Sequence, residues 1–248
     1  MRKKRDFDQT ARCADAGFMV YWAGREGSTV ASSEEIYHTL RGEILSLTLR
    51  PGQPIAESEL ARRFSVSRTP VRAALSRLKS EKLVEVFPQK GTFVAPVDWD
   101  FVRQLIYMRC SVELRLADQL CADPPEEMLR ELRRNLNSQL CLLQAGSSPM
   151  DYYQIDSSFH RICFTHCGME AVWRIFRQFH ANYTRFRLMD IRESGLTGQF
   201  YEEHCRMVQL MEEGKPEELK ILIQQHLESG FQRMAEKAAR EAREQTVT

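Results

Sequence analysis

From Asp98 to about residue 241 the chain keeps a helical period of apolar residues almost without interruption, and no feature limits its fold more. Helices are expected over about 98–122, 125–145, 149–167, 169–193, 198–213 and 215–241. The breaks between them fall at Asp123-Pro124-Pro125, Gly146, Gly168, Gly195 and Gly214, residues that end helices. No strand-like alternation of useful length occurs in this half. Amphipathic helices in such number bury their apolar stripes most simply against one another, in an antiparallel bundle.

The preceding residues carry a different pattern. Ser32-Ser33-Glu34-Glu35 reads as a cap and acidic first turn, and Ile36, Leu40, Ile44, Leu45 and Leu47 form an apolar stripe that Pro51-Gly52 ends. A second short helix is expected from Glu57 to about Phe64, with Leu60 and Ala61 inward. After the turn Ser65-Val66-Ser67 comes a third, capped by Ser67, with Pro70 in its first turn and Val71, Ala74, Leu75 and Leu78 buried. Beyond Leu83, the β-formers Val84, Val86, Phe93 and Val94 flank Pro88-Gln89-Lys90-Gly91, the signature of a hairpin. Three helices and a hairpin make a winged helix-turn-helix. The fold class is therefore mainly α, a winged helix-turn-helix followed by an all-α antiparallel bundle. The expected divisions are a flexible tail at 1–31, the winged helix at 32–97, the helical domain at 98–241 and a short tail at 242–248.

Composition narrows the function. No apolar run reaches the ~20 residues of a membrane span. Met1-Arg2-Lys3-Lys4-Arg5 lacks the long apolar run that an export signal needs behind its charges, because Asp6, Asp8 and Asp15 intervene. Seven cysteines, an odd number without a repeated close spacing, do not make a disulfide framework, so a cytoplasmic location is expected. Residues 32–97 hold ten Lys/Arg against seven Asp/Glu, whereas residues 98–248 hold nineteen against twenty-three. The mildly basic half suits contact with phosphate.

A recognition helix needs long hydrogen-bonding side chains near its amino terminus, the end that enters the major groove. Arg68 and Arg72 stand one turn apart there, able to face one groove while Val71 and Leu75 face the core. An arginine can donate two bonds to guanine, and Ser67 and Thr69 suit phosphates. Lys90 and Gly91 at the hairpin tip would let the backbone approach the minor groove or the sugar-phosphate edge, and Arg50 in the turn before the second helix would add a phosphate contact. The alternative is a merely solvated arginine face, which the surrounding three-helix-and-hairpin pattern disfavours.

The stretches Pro51-Gly52-Gln53-Pro54-Ile55-Ala56-Glu57-Ser58-Glu59-Leu60-Ala61 and Val66-Ser67-Arg68-Thr69-Pro70-Val71-Arg72-Ala73-Ala74-Leu75 resemble the GntR family of regulators over about 36–97. In that family the matching arginines and the wing glycine touch operator DNA. The resemblance implies a homodimer on a palindromic operator.

In the second half, Asp156 and His160 lie four apart on one helical face, half of a metal site by spacing. His204 and His226 lie on later helices. By periodicity alone, a buried hydrogen-bonded histidine is the commoner explanation of such residues. Asp156-Ser157-Ser158-Phe159-His160-Arg161 followed by Gly168, and Glu203-His204 with His226-Leu227, are similar to the FCD ligand-binding domain of the FadR subfamily. That resemblance implies a divalent metal (zinc, nickel, cobalt or manganese) held by Asp156, His160, His204 and His226, with positions open to water or an effector carboxylate. It argues against the acyl-CoA-binding branch, which lacks the metal set. Met169 departs from the asparagine common after the family's glycine.

Arg109 and Glu113, one turn apart, also fit that pattern. Arg109 is either a clamp for the carboxylate of a small organic acid or simply an intrahelical partner of Glu113. Arg185 is a second candidate for the effector pocket. Cys163 and Cys167 beside His166 superficially suggest another metal site but are expected to pack as small apolar residues. Trp173, Phe176, Phe179 and Tyr183 read as core or dimer contact, and His38 and His180 have no evident partner. A metal-dependent hydrolase is the rival account; it lacks a general base beside the ligands and leaves the winged helix unexplained, so no enzyme is expected.

Overall fold

The computed structural model describes residues 31–246. Its first helix, α1 (Ser33–Leu45), begins in a reciprocal capping box: Ser32 Oγ accepts from the Glu35 amide at 3.2 Å and Glu35 Oε2 accepts from the Ser32 amide at 2.8 Å. Helices α2 (Glu57–Arg63) and α3 (Arg68–Ser80) follow, then strands β2 (Val84–Phe87) and β3 (Gly91–Val94). A two-residue strand, β1 (Pro54–Ile55), was not expected. It pairs antiparallel with β3 at Pro54↔Phe93 and Ile55↔Thr92, turning the hairpin into a three-stranded sheet of order β1-β3-β2. The first helix ends at Leu45, before Pro51-Gly52, because Leu47 takes a positive φ of 60°. The core here is the expected set, Ile36, Leu40, Ile44, Leu60, Val71, Ala74, Leu75 and Leu78, closed from below by Leu83, Val84 and Val94.

The helical half comprises α4 (Trp99–Ala122), α5 (Glu126–Ala145), α6 (Pro149–His166), α7 (Glu170–Gln178), α8 (His180–Ser194), α9 (Thr197–Glu212) and α10 (Pro216–Thr246). Two boundaries differ from expectation. The helix expected over 169–193 is two helices, because the Phe179 amide bonds Phe176 O at 3.2 Å, a tighter i→i+3 turn that ends α7. The last helix runs on to Thr246, with no break near 241. Residues 1–30, most of the tail expected at 1–31, lie outside the described residues, as do 247 and 248.

A second core joins Val102, Leu105, Ile106, Leu116 and Leu120 of α4 to Met128 and Leu132 of α5, Phe159 and Phe164 of α6, Met207 and Met211 of α9, and Ile223 and Leu227 of α10. Trp173, Phe176 and Tyr183 belong to it, whereas Phe179 is half exposed. Cys163 is buried in the same core and Cys167 packs against it. Helix α8 is buried on nearly every side: Tyr183 through Leu188, Asp190 and Ile191 are all inside. A helix so enclosed that carries Arg185, Arg187 and Asp190 must find partners for each of them, since an unpaired buried charge costs several kcal/mol. No helix among the described residues is long and apolar enough to cross a membrane.

Candidate functional site

Three helices bring Asp156 and His160 (α6), His204 (α9) and His226 (α10) together at the centre of the bundle, each at most 3% exposed. One ligand atom from each lies within 4.8 Å of the others. The Nε2 atoms of His160 and His226 are 3.4 Å apart, and Asp156 Oδ1 stands 3.8 Å from Nε2 of both His204 and His226.

The other ring nitrogens fix what those Nε2 atoms are. Nδ1 of His160 donates to Glu113 Oε2 at 2.8 Å, and Nδ1 of His226 donates to Glu203 Oε2 at 2.7 Å; an ionised carboxylate can only accept. For His204 the orientation follows along a chain of amides. Asn135 Nδ2 donates to the Ile155 carbonyl at 3.0 Å, so Asn135 Oδ1 receives Gln139 Nε2 at 2.7 Å. Gln139 Oε1 is thereby left to accept from His204 Nδ1 at 2.9 Å. With Nδ1 protonated, a neutral imidazole presents a lone pair at Nε2. Burial, and for His204 the neighbouring His226, lowers the pKa of His204 well below its ordinary value. Burial also lowers that of His226, against the pull of Glu203. Both rings are thus neutral at neutral pH.

With His160 in the same neutral tautomer, three lone pairs and a carboxylate oxygen point at one volume with no proton among them. His204 Nε2 has no hydrogen-bond partner among the described residues. Acceptors facing acceptors at 3.4–3.8 Å repel unless a cation stands between them. Donors that share one ion ~2.1 Å away must lie roughly 3–4 Å apart, so these residues fit a divalent metal with little movement. Among the described residues this is the one grouping of its kind. Cys163 and Cys167 form no second one, and His166 instead faces Glu131 at 3.5 Å.

Around the cluster is a second layer that sequence reasoning mostly missed. Asp156 Oδ1 receives Arg187 Nη2 at 3.3 Å, and Arg187 Nη1 reaches Asp190 Oδ2 at 3.4 Å. Asp190 in turn accepts two bonds from Arg233, at 3.0 and 2.9 Å. Burial by itself would raise the Asp156 pKa, but the Arg187 guanidinium holds it below the ordinary carboxylate range. Glu113 behaves likewise: burial opposes its charge, and Arg109 and His160 keep it ionised, at about 2. Gln139 carried a legible signal, because Asn135 and Gln139 sit on the same stripe as Leu129, Leu132 and Leu136, polar residues at core positions. Arg187 carried none that set it apart from Arg185.

Arg109 is buried beside the cluster. It bonds Glu113 Oε1 through Nε at 2.8 Å and the Tyr183 hydroxyl through Nη1 at 2.6 Å. It also lines a cavity of about 30 Å³ with Tyr153, Asp156, Trp173 and Tyr183, room for a few waters. Arg185 is elsewhere. Its guanidinium, fully buried, donates to the carbonyls of Ala95 at 2.6 Å and Pro96 at 3.2 Å and to Asn182 Oδ1 at 2.6 Å. Burial without a carboxylate partner pulls its pKa down to about 10, so it stays charged.

In the winged helix, Arg68, Thr69 and Arg72 are exposed on the amino-terminal part of α3, with Ser67 at its N-cap. The Ser67 hydroxyl makes no capping bond. Arg72 Nε pairs with Glu57 Oε2 at 2.8 Å, an exposed contact worth little and open to competition. Lys90 and Gly91 are exposed at the hairpin tip, where Gly91 has φ 108°, a backbone conformation that side chains disfavour. Arg50 is exposed in the turn ahead of β1. Of the histidines expected to stand alone, His38 meets Glu34 at 2.8 Å and His180 meets the Arg177 carbonyl.

A winged helix-turn-helix joined to a helical domain with a buried carboxylate–imidazole cluster is the plan of a bacterial DNA-binding regulator. Comparison with known proteins agrees. Residues 32–94 match the family described as bacterial regulatory proteins, gntR family, and residues 104–229 match the FCD domain. The chain is 32% identical over 200 residues to an HTH-type transcriptional regulator from an unstable DNA locus of Streptomyces ambofaciens, covering 79% of this chain and 82% of that one. It is 24% identical over 196 residues to the HTH-type transcriptional repressor RspR of Escherichia coli, covering 79% and 86%. The solved structure of E. coli McbR/YncC superposes with a TM-score of 0.61 at 17% identity, over 85% of this chain and all of that one, a likeness of fold. This chain therefore belongs to the GntR family of transcriptional regulators, with an FCD domain behind its DNA-binding half.

Proposed function

We infer that the protein is a homodimeric repressor whose grip on a palindromic operator is set by a small organic acid, bound beside a divalent metal in the FCD domain. Asp156, His160, His204 and His226 hold the ion, with zinc, nickel, cobalt and manganese all compatible with three imidazoles and a carboxylate. The observation that carries this reading is the convergence of three Nε2 lone pairs, each fixed by an acceptor on its Nδ1. When bound, the metal supplies a Lewis-acidic centre beside the cavity that Arg109 lines. Arg109 would then exchange its Tyr183 partner for the acid's carboxylate, since a buried guanidinium can hold one through two bonds. Arg68, Arg72, Ser67 and Thr69 read and hold the major groove, and Lys90, Gly91 and Arg50 hold the backbone. The repressor sense is supported by the relative named RspR.

The test is elemental analysis of the purified protein and of the His160→Ala and His226→Ala variants, with a thermal-shift screen of small acids. About one ion per chain, lost in both variants, supports the site. An acid that stabilises only the metal-loaded protein supports the effector. Absence of metal from the parent protein after growth and dialysis in zinc sinks the metal reading. Equal affinity for its own promoter and for random duplex sinks sequence-specific regulation.

A further inference from the structure

Two arginines separated by a single residue on α8 serve different parts of the molecule. Arg187 reaches Asp156 in the cluster at 3.3 Å. Arg185 grips the carbonyls of Ala95 and Pro96, which lie between the last strand of the winged helix and the first helix of the FCD domain. Asn182, one turn before Arg185, accepts from Arg185 and also from the Asp98 amide at 3.1 Å, so the entry to α4 is tied to the same point. Further contacts join α8 to the winged helix directly: Ala181 packs against its core, and Arg192 donates to the Ser46 carbonyl at 3.1 Å.

These groups, from Ala181 to Arg192, span twelve residues, about 18 Å of helix, and nearly all of that length is buried. A close-packed helix moves as a body when one of its anchors is displaced, because its side chains have no room to absorb the change locally. An ion that binds Asp156 Oδ1 competes with Arg187 for the same oxygen. A displacement there would be carried along α8, and Arg185, with Asn182 beside it, ties the linker to that helix.

We propose that Arg185 is a positioning residue that couples the Asp156 cluster to the winged helix, by making the Ala95–Pro96 linker move with α8. The inference rests on the metal reading above. A guanidinium suits this task better than an ammonium, since its fork donates to two carbonyls and an amide oxygen in fixed relative directions.

The experiment is hydrogen exchange on the full chain with and without Zn²⁺, comparing peptides that cover the linker (94–101) with peptides from α6 and α9. In the parent protein Zn²⁺ should slow exchange in α6 and α9, and shift linker exchange by roughly threefold or more. Arg185→Met should keep the α6 and α9 response and lose the linker response. Asn182→Ala, a milder change at the same anchor, should weaken the linker response and serves if Arg185→Met does not fold. A linker response that survives in the variants overturns the proposal, as does a parent linker that ignores Zn²⁺ while α6 and α9 respond. If no helix responds to Zn²⁺, the metal reading has failed and the coupling falls with it.

Discussion

Glycine in the middle of a helix ordinarily invites replacement by alanine, which stabilises by about 0.5–1 kcal/mol through helix propensity. Gly230 of α10 should behave in the opposite sense. A Cβ there would lie 2.6 Å from Asp190 Oδ2 and 3.2 Å from Phe186 Cζ. Asp190 is the end of a side chain, which elsewhere could swing aside, but here two bonds from Arg233 and one from Arg187 pin it. Phe186 is fully buried and cannot retreat. Overpacking of this kind costs about 1–3 kcal/mol, so after the propensity gain Gly230→Ala should lose roughly 1 kcal/mol, and up to about 2.5 kcal/mol. Gly42 of α1 is the control, because a Cβ there meets nothing within 4 Å, and Gly42→Ala should gain about 0.5–1 kcal/mol. Urea denaturation followed by circular dichroism reads both variants. A Gly230→Ala protein as stable as the parent would show that Asp190 is free to move and that the α8–α10 approach is not the rigid contact argued above.

Gln139→Leu leaves His204 Nδ1 without its acceptor, and should lower zinc affinity about 10–100-fold in a chelator competition; unchanged affinity would mean that Gln139 does not set the ring. Arg68→Ala should cost ~1–3 kcal/mol at one base position if it reads a guanine, whereas an equal loss on all sequences in a binding titration would make it a phosphate contact. Arg109→Met should abolish the thermal shift caused by a small acid while keeping the metal, and a retained shift would remove Arg109 from the pocket. The pKa values of His204 and His226 are lowered in the folded protein, so the unfolded chain takes up more protons below the ordinary value of 6.5. Stability without metal should therefore be flat above that value and fall as the pH drops from about 6.5 toward about 5, before the carboxylates titrate. Urea midpoints in a chelating buffer that rise over this range would refute the neutral-ring assignment.

The winged helix was legible because its information is local: a capping serine, apolar stripes of fixed period and turn residues at the hairpin tip. What escaped there was β1, since two residues, one of them proline, carry no period, and only the pairing with β3 defines them. The helices of the second half were legible for the same reason, except at Phe179, where no glycine or proline marks the break. Asp156, His160, His204 and His226 stood out by residue type and by likeness to a family; the groups that hold the rings did not. Glu113 was read only as a partner of Arg109, although its second oxygen orients His160. Arg185 and Arg187 are the sharper case. Two residues apart on an enclosed helix, they diverge by about 200° around its axis, and which faces the cluster depends on the rotation of α8, a tertiary quantity that spacing does not encode.

The same residues explain why the centre of the bundle is built at a loss. Asp156, Glu113, Asp190, Arg109 and Arg187 are all nearly inaccessible to water, and well-packed apolar side chains of similar volume would often stabilise the fold as much or more. Their contacts to one another are also uneven: Arg187 holds its two carboxylates at 3.3 and 3.4 Å, long for charge-assisted bonds, while Arg233 holds Asp190 at 2.9–3.0 Å. The weaker grip is the one nearest the cluster. A cation arriving at Asp156 would therefore compete with one of the two long contacts of Arg187, on a helix that also anchors the linker. Stability given up at that point is what leaves α8 able to respond to a ligand of ordinary affinity, since a ligand can shift such an equilibrium only by its differential binding to the two arrangements.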